Sequence, residues 1–105
     1  MKKIVAVCAC PAGIAHTYMA AENLENFAKR KGYGIKVETN GSAGVENRLS
    51  EQNIKEADVV IIAADTKVEM ERFKGKKLLM ASVSDAVRKV ETIFEKIENA
   101  NIDIY

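Results

Sequence analysis

With 105 residues, 48% of them apolar and 30% charged, the chain is long enough for one domain over 1–105 with its own core and a solvated surface. Its 16 Lys and Arg against 15 Asp and Glu leave a formal charge of +1, so there is no concentrated basic excess to indicate nucleic acid. The longest apolar runs, Ile4 to Cys10 and Val59 to Ala64, are far too short to cross a bilayer, and no direct membrane insertion is expected. Met1-Lys2-Lys3 resembles the charged start of a signal peptide. The apolar stretch behind it is short, however, and His16 and Glu22 arrive without a cleavage region, so a cytoplasmic location is expected.

Lys3 to Ala9 is apolar at nearly every position, as suits a central strand covered on both faces. The run ends at Cys10, Pro11 and Gly13 follow within three residues, and a helix-compatible segment starts at once. Pro11 removes one N–H and fixes its own φ, while Gly13 opens backbone conformations closed to bulkier residues. A thiol on such a turn faces uncapped backbone N–H groups, and these together with the helix dipole favour negative charge. It is therefore disposed to act as a nucleophile, and an anion attached to the sulfur would be stabilised.

Cys8, the second cysteine, lies two residues earlier. Two strand rises put the α-carbons roughly 6.6 Å apart, poor geometry for a disulfide. The C-x-C spacing is not the C-x-x-C of redox helices either. Cys8 reads as a buried structural thiol, a small hydrophobe in the strand. With a single His in the chain, a metal site would lack ligands, and no metal or other cofactor is expected.

The first helix should run from about Ile14 to Lys31. Ala20, Leu24, Phe27 and Ala28 form its apolar stripe, Lys29, Arg30 and Lys31 suit the negative end of the dipole, and Gly32 supplies the stop. Gly34 to Thr39 alternates Ile35, Val37 and Thr39 against Lys36 and Glu38, a half-exposed edge strand. Asn40 to Gly44 is a turn-rich loop, and Val45 to Gln52 reads as a short helix. Ala57 to Ala64 is the strongest buried-strand signal. Asp65-Thr66-Lys67 follows, then a short helical piece around Val68 to Phe73. Lys77 to Ala81 is the last strand. Ser82 and Asp85 offer an N-cap and an early acid for a final helix from about Asp85 to Asn99, with Val87, Val90, Phe94 and Ile97 as its stripe.

The order β-α-β-α-β-α-β-α implies an α/β fold: an open four-stranded parallel sheet, strand order 2-1-3-4, with helices on both faces and right-handed crossovers. Function in such sheets gathers beyond the C-terminal strand ends, near the point where strand order reverses. Strand 1 is central, so Cys10 falls at that switch point.

A cysteine on an anion-binding loop suggests a tyrosine phosphatase, but those enzymes use Cys-x5-Arg, and six positions after Cys10 stands His16. No acid in the loop is evidently placed to protonate a leaving group. The turn also lacks G-x-G-x-x-G, which argues against dinucleotide binding. A thiol that takes a phosphoryl group and holds it for another acceptor survives this comparison.

The segment Cys10-Pro11-Ala12-Gly13-Ile14-Ala15-His16-Thr17-Tyr18-Met19-Ala20-Ala21-Glu22 closely resembles the phosphocysteine segment of one family. That family is the B component (enzyme IIB) of fructose-family, phosphoenolpyruvate-dependent sugar phosphotransferase systems. Further blocks resemble it in the same order: Glu38 to Gly44, Asn47-Arg48-Leu49, Ala57 to Asp65 and Arg72 to Lys76. The resemblance implies that Cys10 accepts phosphate from a phosphohistidine of the IIA component. It then passes it to a sugar, fructose by family, held by the membrane IIC component. The Met-Lys-Lys start slightly favours a free subunit.

One departure is visible: the family usually has threonine where this chain has Ala12, which removes a hydroxyl and leaves the backbone N–H groups. Pro11 to Thr17 would form the phosphate-binding loop. Within it His16 is a second acceptor, an orienting donor, or an ordinary polar side chain of the first turn, and Thr17 bonds the loop or its own backbone. Ser42 and Gly44 either border the site or form a plain turn. Asp65 and Lys67 end a strand at the same edge, where Lys67 attracts phosphate or is simply solvated. Arg72 serves partner docking or a local ion pair. A regulatory binding module of the same fold, a stand-alone phosphatase and a sugar other than fructose remain as alternatives.

Overall fold

The computed structural model describes residues 2–10, 14–41, 44–99 and 102–105. β1 (Lys3–Ala9) leads into α1 (Ile14–Arg30), then β2 (Gly34–Gly41), β3 (Gly44–Glu46), α2 (Glu51–Glu56) and β4 (Val59–Ala64). A single 3-10 turn at Glu71–Phe73 precedes β5 (Leu78–Ala81), α3 (Val83–Arg88) and α4 (Val90–Asn99). The described residues form one five-stranded sheet in the order β3-β2-β1-β4-β5. β1 pairs in parallel with β2 and β4, and β4 with β5.

The expected α/β architecture and the central place of the first strand are therefore present, with one strand more than the four expected. β3 is the addition, antiparallel to β2 with Thr39 opposite Glu46 and Gly41 opposite Gly44. Its presence moves β2 from the sheet edge to the interior. Val45, expected in a helix, lies in β3. The following helix starts later because Ser50 caps it: its Oγ accepts from Asn53 N–H at 3.0 Å, and Asn53 Oδ1 accepts from Ser50 N–H at 2.9 Å. The helical piece expected at Val68 to Phe73 shrinks to the 3-10 turn.

Alternate residues of the strands face opposite layers. Ile4, Ala6 and Cys8 of β1 and Val59, Ile61 and Ala63 of β4 pack under α1, α3 and α4, against Ala20, Leu24, Ala28, Ala86, Phe94 and Ile97. Val5, Val7, Val60 and Ile62 face the other way, toward Leu49, Ile54 and Phe73. Helices thus cover both faces, the second more thinly. α1 ends as expected at Gly32, whose φ of +77° lets Tyr33 N–H reach the Ala28 carbonyl and Gly32 N–H that of Lys29. The last expected helix is two, broken at Lys89 (φ −136°, ψ 43°). There the Thr92 hydroxyl donates to the Lys89 carbonyl at 2.6 Å, a local bond that competes with helix continuation.

Candidate functional site

Cys10 is the first residue beyond β1, and its root is held from both sides. Ala9 is in register with Asn40 of β2 and Ala64 of β4, and the Asp65 N–H donates to the Ala9 carbonyl at 2.9 Å. The chain turns from β2 back across β1 to β4, so Cys10 stands where the strand order reverses. It is half-buried and packs against the α1 layer. α1 starts at Ile14, only four residues on, with Ile14 and Ala15 on its first turn.

Pro11, Ala12 and Gly13 lie outside the described residues, as does Ser42. His16 is exposed. Thr17 is 1% exposed, and its hydroxyl has no hydrogen-bond partner among the described residues. It shares the sheet-facing side of α1 with Ala20, Ala21 and Leu24, one turn nearer the Cys10 end. Gly44 starts β3 at φ +99°, a conformation that favours glycine; a Cβ there would meet nothing within 4 Å.

Asp65 Oδ1 accepts the Val83 N–H at 3.2 Å, which ties the end of β4 to the start of α3. A hollow of about 300 Å³ lies between α1 and α3, bordered by His16, Met19, Asp65, Ser84 and Arg88. Lys67 is exposed and borders a different, apolar hollow with Asp65, Val68, Met70 and Met80. His16 and Asp65 thus border one hollow, and Lys67 borders another that shares Asp65 with it. Among the described residues no group of three or more His, Cys, Asp or Glu side chains is gathered as for a metal ion.

The two thiols differ sharply. Cys8 is fully buried; burial first, and the Glu25 charge second, push its thiol up to about 12. It stays protonated at neutral pH and cannot serve as the nucleophile.

Glu38 is the residue whose role the strand pattern misread. It does not face water: its side chain is 1% exposed and paired with Arg72, itself 13% exposed. Burial pushes its carboxyl up. Hydrogen bonds from Arg72, Leu49 and Asn40, with the Arg72 charge, outweigh that and hold it at about 2. Of the two roles open for Arg72, the structure places it in this ion pair. Glu38 follows Val37 in an alternating run and its partner is 34 residues away, so no local signal reveals the pair.

A family model described as the lactose/cellobiose-specific IIB subunit of the phosphotransferase system matches residues 5–96. The chain is 52% identical over 99 residues to the fructose-like EIIB component 2 of Escherichia coli K12, covering 93% of each. It is also 52% identical over 103 residues to the fructose-specific EIIABC component of Bacillus subtilis 168, where it covers 98% of this chain and 16% of that protein. Among solved structures, a domain of the fructose-specific IIABC component from Borrelia burgdorferi superposes with a TM-score of 0.93 at 47% identity, covering 99% of this chain and 98% of that one.

Proposed function

This chain belongs to the IIB components of sugar phosphotransferase systems, among their fructose-type members, and on that premise we propose that Cys10 carries a phosphoryl group between two partner proteins. The donor is a phosphohistidine of the IIA component. Cys10 thiolate attacks phosphorus in line; the S–P bond forms as the P–N bond breaks, and the departing imidazole takes up a proton from water. The acceptor is a sugar held by the membrane IIC component. Its hydroxyl gives up a proton to water and attacks the phosphorus, the S–P bond breaks, and the thiolate is restored.

Phosphoryl transfer of this kind asks the protein mainly for positioning and for stabilisation of spread negative charge. Backbone N–H groups from Ala12 to His16 and the start of α1 are assigned that task, with the buried Thr17 hydroxyl as a donor beneath the loop. The absence of an arginine at position 16 suits a carrier, in which attack by water would waste the phosphoryl group. The observation that carries the reading is the position of Cys10: accessible, at the end of the central strand, directly before α1.

Fructose or a close derivative is the proposed sugar, because relatives at 52% identity are named for fructose although the family description names lactose and cellobiose. No helix among the described residues is long and apolar enough to cross a membrane. Because both proposed partners meet it there, the protein is proposed to act in the cytoplasm, docking on the inner face of the transporter.

Incubation with labelled phosphoenolpyruvate and the upstream phosphotransfer proteins tests the reading. Stable label is expected on the wild-type chain, none on Cys10→Ala, and most of the wild-type level on Cys8→Ser. Steady release of free phosphate would make the protein a phosphatase, and no label at all would make it a binding module. Loss of label in Cys8→Ser alone would reverse the assignment of the two thiols.

A further inference from the structure

Among the described residues Glu38 and Arg72 form the most deeply buried ion pair, with Glu38 buried and Arg72 half-buried. Arg72 Nη1 and Nη2 donate to Glu38 Oε1 and Oε2 at 2.7 and 2.6 Å, the two-pronged geometry that guanidinium and carboxylate favour. Each oxygen takes a second donor as well: Leu49 N–H on Oε1 at 2.9 Å, and Asn40 Nδ2 on Oε2 at 3.0 Å. Asn40 and Leu49 are the two roots of the excursion that carries β3, so a single carboxylate pins both. Arg72 extends the hold to the segment after β4, since its Nε donates to the Glu69 carbonyl at 3.2 Å. Glu69 in turn takes Arg48 Nη2 at 2.9 Å, joining that segment to the stem of the excursion.

These two segments flank Cys10. Asn40 is in register with Ala9, and Asp65, where the second segment begins, donates its N–H to the Ala9 carbonyl. The hairpin also reaches α1, where the Tyr18 hydroxyl donates to Glu46. Two well-packed apolar side chains could fill the space of a buried ion pair with little loss of stability, or even a gain. What they cannot do is fix the directions of donors arriving from three separate chain segments.

We propose that Glu38 and Arg72 are positioning residues for phosphoryl transfer, holding the β2–β3 hairpin and the segment after β4 as two walls beside Cys10. The proposal rests on the phosphocysteine reading for its purpose and on the hydrogen bonds above for its geometry.

Two variants test it. Glu38→Met/Arg72→Met replaces the pair with apolar side chains, and Arg72→Lys keeps the charge but loses the two-pronged contact. In both, amide exchange in β1 and β4 should keep its protection, whereas exchange at Gly41 and over Gly44 to Glu46 should quicken at least tenfold. Phosphoryl uptake from the phosphorylated IIA component should fall at least tenfold in kcat/KM for the double variant and by less for Arg72→Lys. Hairpin exchange within twofold of wild type would overturn the proposal. So would a loosened hairpin with unchanged transfer. If the double variant does not fold, Arg72→Lys decides by the same two measurements. A wild-type chain that takes no label would remove the phosphocysteine reading, and hairpin exchange would still judge the clamp.

Discussion

Glu38 keeps its charge inside the protein because four donors oppose the cost of burial, and that balance makes stability depend on acid. Its carboxyl sits at about 2 in the folded chain against an ordinary 4.5. A group with a depressed folded value contributes stability that is complete above the unfolded value and lost as pH falls toward the folded one. The window is therefore pH 4.5 down to 2, and the contribution is about 3 kcal/mol. Urea unfolding at pH 7, 5 and 3 should show a steep decline below pH 5. Glu38→Gln should be weaker at pH 7, since Arg72 loses its partner, and flatter in that acidic range; an unchanged acid slope would place the effect on other carboxylates. Glu38 was illegible in the sequence, whereas Cys10 was not. A thiol between an apolar run and a proline, with a glycine two residues beyond, declares its surroundings within three residues. The surroundings of Glu38 come from Leu49 and Arg72, which only the folded chain brings near.

Elements were legible wherever local chemistry settles the backbone. β1 and β4 are continuous apolar runs that a doubly covered sheet requires, and α1 carries both its stripe and its glycine stop. The misread stretch, residues 40–56, has competing local signals. Asn40-Gly41 serves a hairpin as readily as a loop, and the Ser50 cap fixes the start of α2 later than the Val45 expected. Ser82 does the same for α3: its Oγ accepts from Asp85 N–H at 3.0 Å, with Asp85 reaching back to Ser82 N–H at 3.5 Å. Ser82→Ala should cost about 1 kcal/mol, a fall of about 4 °C or more in Tm for a domain of this size. Ser84→Ala, two residues away and exposed, is the control. Equal shifts in the two would show that the cap is not the cause.

At the scale of the whole molecule, the unbroken apolar run of β1 marked an interior strand, and the alternation of strands and helices was enough to indicate a parallel sheet with crossovers of one hand. It was not enough to find β3, three exposed residues on the sheet edge with no burial pattern to announce them. The central position of β1 also separates its two cysteines. Cys10 emerges beyond the C-terminal end of the strand, while Cys8 is sealed between β1 and the α1 layer with a thiol held at about 12. Its reaction with a disulfide-exchange reagent requires both exposure and a thiolate, and neither is available until the central strand itself opens. Native protein should therefore react in two phases: one thiol promptly, lost in Cys10→Ala, and one at a rate governed by global opening. Adding urea below the unfolding midpoint should speed the slow phase in proportion to the rising unfolded population, and Ser82→Ala should speed it by the factor its lost stability predicts, about fivefold for 1 kcal/mol. A slow phase indifferent to both would mean that β1 opens on its own, and a central strand that does so could not hold Cys10 in place.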